Sequence, residues 1–212
     1  MIKTGLLGGS FNPAHRGHRG ISARAIEALG LDEMWWLVSP GNPLKPAKGM
    51  APLQARFGSA REMARRAPIR VTAIERELGT RYTIETLRAL VRRYPKRRFV
   101  WLMGADNLLQ FHHWKDWRGI ARLVAVAVVA RPGYDAAAFA SPAMAWLGRY
   151  RRRPGSLDDP AKRSAPALYL LLFDPDPRSA TALRSADPHW HRRYARASRD
   201  AVTHRPIPAD AV

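Results

Sequence analysis

The sequence has no cysteine, no long apolar run and few acidic residues. The absence of cysteine among 212 residues excludes a disulfide-stabilised scaffold, a thiolate nucleophile and Cys-ligated zinc or iron–sulfur. The longest apolar run, residues 123–130, ends at Arg131 and is far shorter than the roughly 20 residues of a membrane-spanning helix. The N-terminus reads Met-Ile-Lys and enters a strand-like run at once, unlike a secretory signal. We therefore expect a soluble, cytoplasmic protein that does not bind a membrane.

The shortage of acidic residues leaves the chain strongly basic. Asp and Glu total 17 against 36 Lys and Arg, a formal net charge of +19. Such a chain attracts polyanions, including nucleic acid and nucleotides. Only six of the basic residues are lysine, and the arginines are spread along the chain at helix-like spacing. That distribution favours solvated helix faces over a nucleic-acid interface, so we expect no specific nucleic-acid partner.

Strand-like and helical segments alternate along the chain. The predicted strands are 2–9, 33–38, 68–72, 99–103, 123–130 and 168–173. The predicted helices are 17–29, 52–66, 83–94, 105–122, 179–186 and 188–200, with a candidate helix at 135–148. Near-continuous apolar strands separated by helices predict an α/β domain with a doubly wound, mostly parallel sheet. The length suits one domain over residues 1–203, and we expect the tail at 204–212 to fray.

An eleven-residue string joins the first predicted strand to the first helix. Residues 8–18 read Gly-Gly-Ser-Phe-Asn-Pro-Ala-His-Arg-Gly-His. Gly8 and Gly9 permit a tight turn and close approach of a ligand, and the following helix N-terminus suits an anion. His15 and His18 share one helix face and can donate hydrogen bonds to phosphate. The pair could instead hold a metal, but no cysteine or carboxylate nearby completes a zinc site, so no metal site is predicted.

A second string begins another predicted helix. Residues 179–184 read Ser-Ala-Thr-Ala-Leu-Arg. Hydroxyl groups donate hydrogen bonds to phosphate oxygens, and the guanidinium of Arg184 can bridge two of them. Because serine and threonine are also common helix N-caps, this string by itself is weak evidence of a ligand site.

Together the two strings resemble the signatures of the nucleotidyltransferase superfamily. Residues 15–18 fill the pattern H-x-G-H, and residues 179–184 resemble I-S-x-T-x-I-R, although Arg178 stands where an apolar residue is usual. Further motifs lie at residues 40–45, 76–87, 101–114 and 128–134. From Ile2 to about Tyr194 the chain is similar to bacterial nicotinate-nucleotide adenylyltransferases, with the motifs in matching order, and only residues 135–167 carry none.

The resemblance implies a fold, a reaction and a set of site residues. It implies a Rossmann-like nucleotidyltransferase fold and transfer of AMP from ATP to nicotinate mononucleotide, giving deamido-NAD and pyrophosphate. The catalytic residues it implies are His15, His18 and Arg184. The ATP-binding residues it implies are Gly8, Gly9, Ser10, Phe11, Lys45, Gly104, Asp106, Ser179 and Thr181. The residues it implies for nicotinate mononucleotide are Thr83, Trp114 and Arg131. Mg²⁺ is expected to arrive with ATP, since the sequence offers no dedicated carboxylate cage.

Some of these residues have plainer interpretations. Asp106 and Thr83 each suit a simple helix N-cap, and Trp114 suits a core aromatic as well as a surface that stacks on a pyridine ring. The other tryptophans considered are assigned to the core: Trp35, Trp36 and Trp117.

Two rival functions stay open at this point. A nucleotidyltransferase could act on phosphopantetheine or on the amidated mononucleotide, and a polyanion-binding module could have kept the fold without the activity. The segments at 101–114 and 131–134 argue against the phosphopantetheine enzymes. The intact histidine pair and Arg184 argue against an inactive module.

Overall fold

The computed structural model describes residues 1–41, 49–130, 135–158, 165–173, 179–194 and 196–208. The strands are β1 (Ile2–Gly9), β2 (Glu33–Val38), β3 (Ile69–Thr72), β4 (Arg97–Gly104), β5 (Ala125–Ala130), β6 (Arg151–Arg152), β7 (Leu168–Leu172), β8 (Ser198–Arg199) and β9 (Pro206–Ile207). The α-helices are α1 (Arg16–Leu29), α2 (Leu53–Ala64), α3 (Ile74–Leu78), α4 (Thr83–Arg93), α5 (Ala105–Gln110), α6 (Trp117–Leu123), α7 (Ala136–Phe139), α8 (Pro142–Leu147) and α9 (Ala180–Ala186). Within these ranges no helix combines the length and the apolar character needed to cross a bilayer.

Seven of the strands form one parallel sheet in the order β3-β2-β1-β4-β5-β7-β6. The chain winds outward from β1 through β2 to β3, then returns to the other side of β1 at β4 and continues to β5. This is the predicted doubly wound arrangement, which is confirmed. The direction of winding reverses between β1 and β4, and in such sheets ligands bind outside the carboxyl ends of the strands at that point.

The core covers both faces of the sheet. Every residue of β2 and of β5 is buried, which is why both strands read as continuous apolar runs. Because side chains alternate along a strand, the neighbouring Trp35 and Trp36 lie in different core clusters on opposite faces. These two tryptophans and Trp117 are buried, so their assignment to the core is confirmed.

Several predicted helices are shorter or interrupted. The helix predicted over 105–122 is divided into α5, a 3₁₀ turn at Phe111–His113 and α6. The break lies before α6, where Asp116 has a φ of +47° and its carboxylate accepts a hydrogen bond from the Gly119 N–H. The candidate helix at 135–148 is likewise divided into α7 and α8, because Ser141 caps the second of them.

The C-terminal segment forms a hairpin instead of a helix and a frayed tail. A 3₁₀ turn at Trp190–Tyr194 and the strand β8 occupy the span where the helix 188–200 is predicted, and β8 pairs with β9 in antiparallel fashion. Ile207 is buried, and the Asp200 carboxylate accepts hydrogen bonds from the Thr72 hydroxyl and the Ala73 N–H after β3. Residues 204–208, part of the tail expected to fray, belong to the turn and second strand of this hairpin, and residues 209–212 lie outside the described residues.

Candidate active site

The first of the two strings lies where predicted, at the carboxyl end of β1. Gly8 leaves room for the Trp101 ring, since a Cβ at this position would lie 2.7 Å from it. A Cβ at Gly9 would lie 3.4 Å from the Phe11 ring. Gly8 thus serves the packing of an aromatic ring, whereas a Cβ at Gly9 would make only an ordinary contact, and the close approach of a ligand that the sequence suggests stays a prediction for both.

Phe11 anchors the loop that follows the strand. Its backbone has a φ of +48°, which turns the chain sharply, and its side chain is buried. The ring stacks on Trp36 at a centroid distance of 5.1 Å and lies 4.9 Å from the His18 ring. With the Phe11 side chain committed to the core, its backbone is the part that faces a ligand.

The two histidines begin α1 and lie together. Their ring centroids are 3.9 Å apart, and the backbone N–H of His15 donates a hydrogen bond to Nδ1 of His18 at 3.2 Å. Burial, reinforced by the nearby His15 charge, lowers the pKa of His18 to about 3. His18 is therefore neutral at pH 7. Because its Nδ1 accepts a hydrogen bond, its proton resides on Nε2, which is left as a donor.

The second string is brought against the first by Arg184. Its Nη1 donates to the backbone carbonyl of Asn12 at 2.6 Å, and its Nη2 donates to the Thr181 hydroxyl at 3.2 Å. Asn12 in turn bonds through its side chain to Gly49 and Ala51, at the end of the segment that contains Lys45. One asparagine thus fastens three parts of the chain around the end of β1.

The serine of the second string acts as a helix cap. The Ser179 hydroxyl accepts a hydrogen bond from the Ala182 N–H at 3.1 Å at the start of α9, so the plain cap interpretation holds for this residue. The Thr181 side chain beside it is exposed. The Ser179 hydroxyl keeps its own O–H as a donor, so Ser179, Thr181 and Arg184 can all offer side-chain donors to a ligand.

A buried arginine that the sequence analysis missed holds the loops at the ends of β1 and β2. Arg56 of α2 is 1% exposed. Its guanidinium donates to the carbonyls of Ser10 at 2.8 Å, Ser39 at 2.7 Å and Pro40 at 3.3 Å, and to that of Ala51 at 2.8 Å. These bonds set the position of Ser10 relative to the neighbouring strand.

The carboxyl end of β4 carries the next predicted pair. Gly104 ends the strand and precedes α5, and the Asp106 carboxylate in the first turn folds back against it, where a side chain on Gly104 would collide with it. Asp106 is exposed and does not cap the helix, so the plain cap interpretation is wrong. A free carboxylate thus lies beside the switch point between β1 and β4.

Thr83 and Trp114 lie on two elements that are tied together. Thr83 is the first residue of α4 and is preceded by the cap position, so it is not the cap. The Lys115 ammonium bonds to Glu85 of α4 at 2.7 Å and lies 4.3 Å from the Tyr82 ring centre. Trp114 itself is half-buried, so part of its ring packs on the core and part is exposed, and its stacking on a pyridine ring stays a prediction.

Glu75 is a second polar group that sequence reasoning did not single out. It lies in α3, and its carboxylate accepts a hydrogen bond from the Thr86 hydroxyl of α4 at 3.4 Å. Burial raises the pKa of Glu75 to about 7, while hydrogen bonds from Thr86 and Ser39 oppose that rise. The residue bridges the end of β2 and the helix that begins at Thr83.

Two predicted site residues, Lys45 and Arg131, lie outside the described residues. Within the described ranges no three His, Asp or Glu side chains converge as a metal-binding cluster. The described site consists instead of hydrogen-bond donors: the neutral His18, the Arg184 guanidinium and the start of α1. This is a set suited to phosphate oxygens.

Comparison with known proteins places this geometry in a family. The model of the cytidylyltransferase-like family matches residues 6–186. A curated protein of Erythrobacter litoralis (strain HTCC2594), named "Probable nicotinate-nucleotide adenylyltransferase", is 65% identical over 97% of this chain and 94% of its own length. A protein of the same name from Parvibaculum lavamentivorans is 51% identical over 86% of this chain and 91% of its own.

Solved structures agree on the fold. Plasmodium falciparum nicotinic acid mononucleotide adenylyltransferase, solved in complex with NaAD, matches with a TM-score of 0.62 and 14% sequence identity over 87% of this chain and 83% of its own. The same enzyme complexed with APC matches with a TM-score of 0.61 at the same identity and coverage. Fold, family model and sequence identity agree: the chain belongs to the nicotinate-nucleotide adenylyltransferases of the cytidylyltransferase-like family.

Proposed function

We propose that this chain transfers AMP from ATP to nicotinate mononucleotide, with the end of β1 as its catalytic centre. The names of the relatives support the reaction. The observation that carries the placement is the bond from Arg184 to the Asn12 carbonyl, because it joins the two ligand-binding strings, 172 residues apart, at the switch point of the sheet. Since ATP is the donor, we expect the enzyme to work in the cytoplasm.

The reaction needs alignment more than it needs acid or base. The 5′-phosphate of the mononucleotide is anionic at pH 7 and attacks the α-phosphorus of ATP. One oxygen–phosphorus bond forms, the bond from the α-phosphorus to the bridging oxygen breaks, and pyrophosphate leaves with that electron pair. No proton must be removed from the nucleophile, so the enzyme contributes positioning and charge neutralisation.

The donors at the end of β1 fit that task. His18 offers Nε2–H as a neutral donor, and Arg184 offers a permanently charged one. Together with His15 we assign them to the phosphates that react. The remaining ATP contacts are assigned to Gly8, Gly9, Ser10, the Phe11 backbone, Lys45, Gly104, Asp106, Ser179 and Thr181. The contacts to nicotinate mononucleotide are assigned to Thr83, Trp114 and Arg131.

Magnesium fits this site as a companion of ATP. Mg²⁺ is commonly bound through substrate phosphates and one or two carboxylates, and Asp106 is an exposed carboxylate at the switch point. When bound, the ion would neutralise charge on the triphosphate. Asp106 is the residue we expect to hold it or a ribose hydroxyl, while His18 and Arg184 bind the phosphate oxygens directly.

The substrate is tested by pyrophosphate release from ATP with each acceptor in turn. We expect N–H donors near Thr83 and around Trp114 and Lys115 to meet the carboxylate of nicotinate. The amide analogue would leave one of these donors facing an NH₂ group, at a cost of about 1–3 kcal/mol or more for a charged partner. The acid should therefore exceed the amide by at least about 10²-fold in kcat/KM.

The controls are phosphopantetheine as acceptor and an Arg184→Ala variant. Turnover of phosphopantetheine that is faster than turnover of nicotinate mononucleotide would contradict the proposed acceptor. Equal use of the acid and the amide would overturn the choice of nicotinate over nicotinamide mononucleotide. Full activity of Arg184→Ala would remove the second string from the catalytic centre.

A further inference from the structure

Three tryptophans lie in β2 and β4, the two strands on either side of β1, and one of them differs from the others. The indole N–H of Trp35 donates to Glu33 at 2.8 Å, and that of Trp36 donates to the Ser22 hydroxyl at 2.8 Å. Trp101 of β4 is only 4% exposed, and its Nε1 has no acceptor among the described residues. Leaving a buried donor without an acceptor is costly and uncommon in folded proteins, so this N–H calls for a physical reason.

The position of Trp101 in the sheet indicates which ligand can supply an acceptor for its indole N–H. It lies three residues before Gly104 at the end of β4, and its ring occupies the space above Gly8. Its ring is edge-on to Trp114 at a centroid distance of 6.3 Å. Trp101 also belongs to the core cluster that α4 and Trp114 pack against, whereas Phe11, which contacts the His18 ring, belongs to the cluster on the other face. The N–H is therefore on the nicotinate side of the proposed site.

We propose that Nε1 of Trp101 donates a hydrogen bond to the carboxylate of nicotinate mononucleotide. The inference rests on the proposed function and adds one side-chain donor to the groups that meet the carboxylate. Since Nε1 is closed to solvent, a neighbouring side chain must move before the carboxylate can reach it. Trp114 is the half-buried neighbour that packs on the Trp101 ring, and it is the residue assigned to stack on the pyridine. Stacking and hydrogen bonding are then made in one step.

Magnetic resonance of the indole groups tests the contact directly. In ¹⁵N-labelled protein the Trp101 signal is identified by its loss in Trp101→Phe. Titration with nicotinate mononucleotide should move that signal downfield, and the Trp35 and Trp36 signals, whose N–H groups already have acceptors, should stay in place. An ATP analogue alone should leave the Trp101 signal where it is. A Trp101 signal that ignores the mononucleotide at saturation overturns the inference.

Kinetics on matched variants supply the second readout. Trp101→Phe and Trp35→Phe remove the same atoms from buried positions, but only the Trp101 change removes a proposed substrate contact. We expect the KM of nicotinate mononucleotide to rise about tenfold in Trp101→Phe, since the lost bond is to a charged group. The KM of ATP should stay within about twofold. Trp35→Phe should leave both KM values unchanged and lose more thermal stability, because it breaks an existing hydrogen bond to Glu33.

The outcomes separate this inference from the proposed function. A wild-type protein that does not adenylylate nicotinate mononucleotide contradicts the proposed function. A wild-type protein that does so, beside a Trp101→Phe variant with unchanged KM, contradicts the role of Trp101 alone. In that case the N–H is satisfied by a buried water, and Trp101→Phe would differ from wild type only in its melting temperature.

Discussion

Two polar side chains near the end of β1, the half-buried His18 and the buried Arg56, have different charges for physical reasons that the fold supplies. His18 is neutral because burial lowers its pKa to about 3. Arg56 stays charged, since a guanidinium does not lose its proton in proteins. Its buried charge is stabilised by hydrogen bonds to four backbone carbonyl oxygens. His18 therefore keeps an N–H donor for a ligand. Arg56 uses its N–H donors to hold the loops around the proposed ligand site.

Replacing His18 should affect turnover more than folding. We expect His18→Ala to lower kcat by about 10²–10³, the usual effect of losing one placed donor to a transition state. The melting temperature should stay close to that of wild type, because His18 is neutral and its replacement by alanine leaves no buried charge without a partner. His189→Ala, at an exposed position, is the matched control and should keep full activity.

The same experiment distinguishes a donor from a proton-transferring group. With a pKa of about 3, His18 does not change charge between pH 5 and 8. The ratio of wild-type to His18→Ala activity should therefore be constant across this range. A ratio that varies with an apparent pKa near 6.5 would show that His18 acts by protonation, and a variant within threefold of wild type would remove His18 from the site.

At the scale of elements, the site depends on how α3 and α4 meet the end of β2. Glu75 of α3 contacts Thr86 of α4, and Thr86 also shares a hydrogen bond of 2.8 Å with Thr80 in the turn between the helices. Lys115 and Asp116, after the 3₁₀ turn, are paired with Glu85 and Arg88 of α4. These contacts hold the start of α4 and the Trp114 segment in one arrangement.

The raised pKa of Glu75 makes this arrangement sensitive to pH. Its folded-state value of about 7 lies above its ordinary value of 4.5, so the folded protein favours the protonated form. That contribution to stability is complete below pH 4.5 and is lost as pH rises through 7. Glu75→Gln, which cannot ionise, should therefore match wild type at pH 4.5 and exceed it at pH 8 by about 1–3 kcal/mol.

Melting temperatures at the two pH values measure this difference. For a chain of this size a change of 1 kcal/mol corresponds to about 2–4 °C. Glu27→Gln on α1, where the carboxylate is exposed and pairs weakly with Arg24, is the control and should show no such dependence. A Glu75→Gln variant that gains nothing at pH 8 would mean that the folded protein holds this carboxylate charged at no cost.

Sequence patterns predicted the presence of the strands and helices well. They predicted less well where these elements end and which polar side chains contact one another. Continuous apolar runs gave the strands of the sheet, because a parallel sheet buries both faces of each strand. Arg56 escaped notice although it lies three residues after Leu53 and four before Ala60, on the buried face of α2. The spacing predicts burial, but the carbonyl acceptors come from distant loops that no local pattern reveals.

The same limit explains the β8–β9 hairpin and the break before α6. Two-residue strands are too short to give an alternating pattern, and the hairpin is fixed by Asp200, whose partners are in β3 and the residue after it. Asp116 adopts a positive φ and caps α6, and the sequence around it does not show whether the preceding helix stops here or continues. Both features follow from contacts across the fold and not from propensity.

At the scale of the whole molecule, the winding of the sheet assembles the site, and the chain as a whole carries an excess of arginine. Several arginines pair with carboxylates, including Arg93 with Glu77 and Arg193 with Asp187. The 36 basic residues exceed the 17 acidic ones by 19, so ion pairs cannot neutralise the positive charge of the chain. A field of this kind attracts any polyanion, and ATP is one.

The attraction for nucleic acid should therefore be general and sensitive to salt. Each phosphate contact with a surface arginine releases counterions, so affinity falls steeply as salt rises. We expect retardation of RNA and DNA in gels at about 50 mM salt to be lost by about 200 mM, with no preference for sequence. Adenylyl transfer should persist at the higher salt, because His18 and Arg184 are partly shielded from solvent and are screened less than exposed charges. Binding that survives the higher salt and selects one sequence would instead require a dedicated nucleic-acid surface, and would give the chain a second role beside its chemistry.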